Sequence, residues 1–366
     1  APAGRRMPPK RRRSEETQEQ DAVESAAKAA RDVALHYSNR DQQSTVQRQH
    51  SPIYNLRCLN NWVKSSLIGT YVMERDRVLD FACGKGGDLT KYKKAKVGAY
   101  VGVDIALASV RRDATERYNG GAYPFPAKFI AADCFAVDLT NEGGLEKKSF
   151  DAISCQFAIH YSWSTEERAR QSFRNVAKLL RPGGHFIGTT VDANVLVRKL
   201  RETDGLSFGN SVVEVKFNDS LKSKLFPSTQ GPFGHRYQFT LQDAVTECDE
   251  WMVPKKDFVD LANEFGLELV EWRNFHDFAG HRLGGGGNGI GNGNGSGTAS
   301  SSGTASSNGS NDASQHKAAR DLWRQTTHGG TPENSNMSSD EWEAARLYAA
   351  FAFRMSGSAS AAAAAV

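Results

Sequence analysis

Two rhythms of apolar and polar positions run along this chain. Ile53, Leu56, Leu59, Val63 and Leu67 recur at helical spacing and predict an amphipathic helix, after a first helical segment over 22–37. Five compact apolar runs follow, at 78–82, 100–104, 129–133, 150–156 and 185–190, and each predicts a strand. Between the fourth and fifth, Ser164-Thr165-Glu166-Glu167 reads as a capping box. The helix it opens carries Phe173, Val176, Ala177 and Leu180 on one face, and Arg181-Pro182-Gly183-Gly184 stops it. Strands alternating with helices predict a parallel, doubly wound α/β sheet.

The rhythm then changes. Val212 to Phe217 and Arg236 to Thr240 alternate with period two and predict a long hairpin, inserted into the α/β series. A helix follows Pro254, with Phe258, Leu261, Ala262 and Phe265 inward and Gly266 as its stop, and Leu267 to Trp272 predicts a late strand. Residues 284–314 are Gly, Ser, Asn and Thr with almost no large apolar side chain, the composition of a flexible insert. Patterned sequence resumes at Asp340 to Phe353, which turns from helix-like to strand-like and would complete the sheet. The expected organisation is a disordered basic arm over 1–32, one domain over 33–355 interrupted by the insert, and a disordered tail over 356–366.

Composition narrows this picture a little. The 366 residues are long enough for one sizeable α/β core, and the net charge of +4 is too mild to point to nucleic acid. Its distribution says more. Lys10-Arg11-Arg12-Arg13 follows Pro8-Pro9, a compact basic run that fits a nuclear address, an RNA-attracting arm or a solvated tail. The chain opens on Ala1, as a trimmed chain would. Five scattered cysteines make no C-x-x-C pair and predict free thiols in a reducing compartment, with no metal site. No apolar run approaches membrane-spanning length, so no membrane partner is expected.

The chemistry enters at the end of the first strand. Val78-Leu79-Asp80-Phe81-Ala82 runs into Cys83-Gly84-Lys85-Gly86-Gly87-Asp88, and the second strand ends on Asp104. In an open α/β sheet such a turn and such an acid face one crevice, where the acid can accept both hydroxyls of a ribose. A dinucleotide site wants G-x-G-x-x-G, but Leu89 stands at the third glycine and Asp88 would repel a diphosphate. S-adenosylmethionine carries a sulfonium cation and no phosphate, which suits a turn flanked by Asp80 and Asp88. The run resembles the first motif of class I methyltransferases, with Ala82 at the first glycine position.

Further segments carry a closer resemblance: His36-Tyr37, Ser51 to Arg57, Asn60-Asn61-Trp62-Val63-Lys64-Ser65, Ser154-Cys155-Gln156-Phe157-Ala158-Ile159-His160-Tyr161, Pro182-Gly183-Gly184, Phe186 to Thr190, Ser207 to Asn210 and Glu341 to Ala344. Together they resemble the eukaryotic mRNA cap (guanine-N7) methyltransferases over roughly 33–282 and 316–354. Two segments depart from the family pattern: Ser38 replaces Asn, and Val191-Asp192 replaces Pro-Asn at an apolar wall of the cap pocket.

The resemblance implies an α/β class I methyltransferase (Rossmann-like) fold, a doubly wound mixed sheet with an inserted β-hairpin/helical region and a helical N-terminal extension. It implies S-adenosyl-L-methionine as methyl donor, held by Lys64, Gly84, Asp104, Asp133, Cys134, Gln156 and Tyr161. Asp104 would take the ribose, Asp133 the adenine amino group with Cys134 supplying a backbone N–H, and Lys64 the methionine carboxylate. The implied cap contacts are Asn60, Asn61, Gly87, Lys93, Arg117, His160, Glu250 and Tyr348, with Lys93 and Arg117 on the triphosphate. Lys91 and Lys94 read equally well as a solvated helix face, Asp133 as a loop carboxylate in water, and Glu250 as surface charge in the run Glu247-Cys248-Asp249-Glu250.

The implied activity is methyl transfer to guanine N7 of 5′-capped RNA, in the nucleus, by a monomer. Capping guanylyltransferase and RNA polymerase II are the further partners to consider. N7 carries a lone pair and no proton, so alignment of the reacting atoms takes the place of a general base. Two other classes compete: a small-molecule methyltransferase, and a silent module that binds capped RNA or a partner.

Overall fold

The structure is a computed structural model that describes residues 24, 25, 27–35, 49–226, 231–283 and 337–357. His36-Tyr37, Ser38, the basic run at 10–13, the insert and most of the tail lie outside the described residues. Helix α1 (residues 27–35) comes first, followed by α2 (Tyr54–Tyr71), β1 (Arg77–Phe81), α3 (Leu89–Ala95) and β2 (Ala99–Asp104). A π-helix over Ser109–Ala114 runs into α4 (Thr115–Gly120), then β3 (Ala127–Ala131), β4 (Phe150–Gln156), a 3₁₀ turn (Ile159–Ser164), α5 (Glu166–Leu179) and β5 (Leu180–Val191). After these come α6 (Ala193–Glu202), β6 (Ser207–Gly209), β7 (Val213–Phe217), β8 (Arg236–Leu241), β9 (Val245–Trp251) and α7 (Lys255–Glu264). The last elements are β10 (Leu267–Asn274), α8 (Phe275–Leu283), α9 (Ser339–Ala345) and β11 (Tyr348–Met355).

Seven strands form the main sheet in the order β10-β11-β5-β4-β1-β2-β3. β1 to β5 pair in parallel, whereas β11 runs antiparallel to both β5 and β10, so the sheet is mixed. β1 sits between β2 and β4, where the winding reverses, and a ligand crevice opens there beyond the strand ends. The central strands are buried along nearly their whole length, which explains their continuous apolar runs. On one face, Phe258 of α7 packs on Phe351, Phe353 and Trp272. Helix α2 lies against β5 and β11, burying Leu56, Leu59, Trp62, Val63 and Leu67.

Several expectations need correction. The inserted hairpin is a four-stranded antiparallel sheet, β6-β7-β8-β9, because the acidic run after Ala244 is itself a strand. Its alternate residues Cys248 and Glu250 turn inward, so tertiary burial overrides the weak strand preference of acids. The third strand ends at Ala131, which places Asp133 in the following loop. His160 and Tyr161 lie in the 3₁₀ turn beyond β4. The cap of α5 is Thr165, which accepts from the Arg168 N–H, and it makes no capping box. Pro182-Gly183-Gly184 forms an irregularity inside β5, where pairing jumps from Phe150–Leu180 to Ala152–His185.

Candidate active site

A cavity of ≈ 210 Å³ opens at the switch point, lined by residues that include Gly84, Asp104, Asp133, Cys134, Gln156 and Tyr161. The turn after β1 reaches it through backbone that curls back on itself. Gly84 and Gly86 have φ of 52° and 68°, and Ala82 shares this left-handed conformation at 53°. Asp104, at the end of β2, accepts the Gly84 N–H at 2.8 Å on Oδ2 and the Ala106 N–H at 2.8 Å on Oδ1. Burial raises its carboxyl, and these two N–H groups oppose the rise. Each oxygen keeps a lone pair, a geometry that fits the two hydroxyls of a ribose.

The surroundings fit S-adenosylmethionine better than a diphosphate. The Gly84 N–H that would cradle phosphate is spent on Asp104, and Asp88 stands at the start of α3, where its side chain makes no cap hydrogen bond. Gln156 is fixed by bonds to Ser154 and Thr189. Helix α1 adds Ala30, Val33 and Ala34 as an apolar wall, a contribution with no local sequence signature.

Lys64 is not among the residues that line the cavity. Its ammonium lies 2.7 Å from Asp88 Oδ1, and that of Lys91 lies 2.7 Å from the same oxygen. Burial would raise the Asp88 carboxyl, but the two cations more than reverse it and hold it well below the usual carboxylate range. Lys91 also donates to Asn61 Oδ1 at 2.9 Å and is buried, so the solvated-face reading of that lysine is wrong. One carboxylate thus ties together Lys64 and, through Lys91, Asn61. Asp133, the second acid in the cavity, is held by Arg168, a residue that sequence reasoning missed.

Beside the cavity lies a second, drier group. Tyr161 packs its ring 4.3 Å from that of His160, and His160 Nε2 is 3.6 Å from Glu250 Oε1. Glu250 Oε2 accepts the Tyr237 hydroxyl at 2.7 Å. Glu250 is 4% exposed, which removes the surface-charge reading. Packing of β9 on the 3₁₀ turn brings Glu250 to His160. Tyr348 meets Phe157 edge-to-face at 5.1 Å and stands opposite Val191 in the β5–β11 ladder. Val191 is buried there, and Asp192 caps α6.

The remaining cap candidates are dispersed. Asn60 Oδ1 is buried with no hydrogen-bond partner among the described residues, and so is Arg117 Nε. Gly87 is exposed, as is Lys93, whose ammonium donates to Ala122 O at 3.1 Å.

A doubly wound mixed sheet with a crevice lined by Asp104 and Asp133 at its switch point is the architecture of a class I S-adenosylmethionine-dependent methyltransferase. The described residues hold no helix long and apolar enough to cross a membrane. Residues 19–356 match the family described as mRNA (guanine-N(7))-methyltransferase domain, and the chain belongs to that family. Two similar proteins, both named mRNA cap guanine-N(7) methyltransferase 1, come from Oryza sativa subsp. japonica and Arabidopsis thaliana. They are 46% and 43% identical, over 90% and 91% of this chain and 82% and 84% of theirs. The mRNA cap guanine-N(7) methyltransferase of Schizosaccharomyces pombe is 38% identical over 67% of this chain and 68% of its own length.

Proposed function

We propose that this enzyme methylates N7 of the terminal guanosine of GpppN-capped RNA. One observation carries the reading: the buried Glu250 carboxylate stands one ring away from the cofactor cavity, across His160 from Tyr161. Guanine offers two adjacent donors, N1–H and the exocyclic amino group, and a carboxylate accepts both in parallel. Adenine offers no such pair. Phe157, Tyr348 and Phe275 supply apolar rings for the base, and Lys93 and Arg117 supply cations for the triphosphate.

S-adenosylmethionine, when bound, supplies an electrophilic methyl group. Asp104 holds its ribose, Asp133 and the Cys134 N–H its adenine, and Gly84, Gln156 and Tyr161 complete the walls. Lys64 would hold its carboxylate, and Lys91 would then keep Asp88 paired. His160 is pushed down to about 3 by burial and is neutral at pH 7, so it serves as a rigid neutral contact. N7 has no proton to remove, and the chain's part is to align the base and exclude water.

The basic run at 10–13 serves as a nuclear address, and the enzyme works as a monomer, with the guanylyltransferase or polymerase as transient partners. The deciding assay incubates the protein with labelled S-adenosylmethionine and GpppG- or GpppA-RNA, then digests the product. Label in 7-methylguanosine is expected. Label elsewhere, or transfer only to small molecules, overturns the proposal.

A further inference from the structure

Arg168 is held at both ends by different elements. Its backbone N–H donates to Thr165 Oγ1 at 3.3 Å in the first turn of α5. Its guanidinium, which lines the cavity, reaches the loop after β3, with Nη1 2.8 Å from Asp133 Oδ2 and Nη2 3.3 Å from Asp133 Oδ1. The two side chains are only 11% and 16% exposed. Asp133 Oδ1 also accepts the Phe135 N–H at 3.0 Å.

A carboxylate has about four acceptor positions. The Phe135 N–H and Nη2 fill both on Oδ1, and Nη1 fills one on Oδ2. One position on Oδ2 stays open. We propose that Arg168 is a positioning residue that sets the pocket's preference for a 6-aminopurine over a 6-oxopurine, by locking Asp133 so that its open acceptor position faces the base of the cofactor. This inference rests on the reading of the cavity as a nucleoside pocket.

The chemistry is that of matched and mismatched partners. An exocyclic amino group donates into the open position, whereas a 6-oxo group sets acceptor against acceptor. A site built around a hydrogen bond strongly rejects an analogue that cannot make it. The rejection depends on the carboxylate staying put, and the terminal torsion of aspartate is intrinsically broad. A planar guanidinium fork fixes the carboxylate plane through two parallel bonds, which the single ammonium of lysine cannot do. Without the fork, Asp133 turns aside. The amino group then loses its acceptor and the oxo group loses its clash.

The test is calorimetric binding of S-adenosylhomocysteine and S-inosylhomocysteine to wild type, Arg168→Gln and Arg168→Lys. Wild type is expected to favour the amino compound by on the order of a hundredfold or more. Arg168→Gln should lower that ratio at least roughly tenfold, with Arg168→Lys in between. Equal weakening of both ligands would overturn the inference, because a role confined to holding the fold moves both alike. Tighter binding of S-adenosylhomocysteine by Arg168→Gln would also overturn it, by making Arg168 a competitor for Asp133. If Arg168→Gln does not fold, the ratio in Arg168→Lys decides. A wild-type protein that binds neither ligand overturns the nucleoside pocket itself, a different result from an unchanged ratio.

Discussion

His160 Nε2 and Glu250 Oε1 face each other at 3.6 Å, and burial drives the two side chains in opposite directions on the pH scale. Burial raises Glu250 to about 7, with the Tyr237 hydrogen bond pulling against it, and lowers His160 to about 3. Guanine's donor edge needs the carboxylate form of Glu250. KM for GpppG-RNA should therefore fall as pH rises from about 6 to 8, by up to roughly tenfold. The single-turnover rate at saturation should stay nearly flat from about pH 6.5 to 8.5, because N7 needs no base. A KM independent of pH would remove Glu250 from the base edge.

The same pair sets a stability signature. Between 4.5 and about 7, native Glu250 keeps a proton that the unfolded chain has released, so its contribution is full at low pH and is lost as pH rises through 7. His160 behaves oppositely: its contribution is present above 6.5 and lost as pH falls towards 3. The two slopes offset each other where the windows overlap. Glu250→Gln removes one of them. Relative to wild type, this variant should gain stability progressively from pH 5, up to about 3 kcal/mol above pH 7, in urea unfolding. It should also lose about 2–4 kcal/mol in kcat/KM for the cap, since a guanine donor pair loses its charged partner.

Asp104 tests the cofactor side. Replacement by Ala removes the ribose acceptor and leaves the Gly84 and Ala106 N–H groups without their partner. S-adenosylmethionine binding should weaken by about 1.5–3 kcal/mol, the scale of a charge-assisted hydrogen bond. Unchanged affinity by calorimetry would move the nucleoside elsewhere.

Much of this architecture is legible in the chain, for reasons that differ by element. β1, β2 and β4 are buried on both faces, so their apolar runs stand out, and the turn at Gly84 to Asp88 announces itself through backbone demands that few residues meet. β9 is not legible, because its acids are kept in a strand by contacts made elsewhere. Lys91 and Arg168 look like surface cations at helical spacing. Asp88 lies one helical turn from Lys91, a pairing the spacing already allows, but only the folded structure brings Lys64 to that acid and Asp133 to Arg168. The π-helix after Ala108 likewise has no local signature.

Ala82 holds a left-handed backbone, φ 53°, at the edge of the cofactor cavity. An L-residue with a Cβ resists that conformation by roughly 1–2 kcal/mol, whereas glycine adopts it freely. Glycine also adds freedom to the unfolded chain, worth about 0.4–1 kcal/mol in the other direction. Ala82→Gly should therefore stabilise the protein by about 0.5–1 kcal/mol and leave cofactor affinity near wild type. A melting temperature several degrees below wild type would mean that the Ala82 methyl group makes packing contacts outweighing its strain.

Glu341 joins the two ends of the domain. Its Oε2 accepts the Ser338 N–H and hydroxyl, closing the capping box of α9, while Oε1 accepts the Asn55 and Leu56 N–H groups at 2.9 and 3.1 Å. Those two amides belong to the first turn of α2, whose own cap residue, Ile53, offers no side-chain acceptor. One buried carboxylate thus caps two helices, and one of them carries Asn60, Asn61 and Lys64. Glu341→Ala leaves these orphan donors unpaired at once and should cost about 2–4 kcal/mol of stability. Glu341→Gln keeps the shape but turns one acceptor into a donor, so it should cost about 1–2 kcal/mol, because amide hydrogens then face amide hydrogens. Urea unfolding measures both. A loss below about 0.5 kcal/mol for Glu341→Ala would show that water replaces the carboxylate at the start of α2.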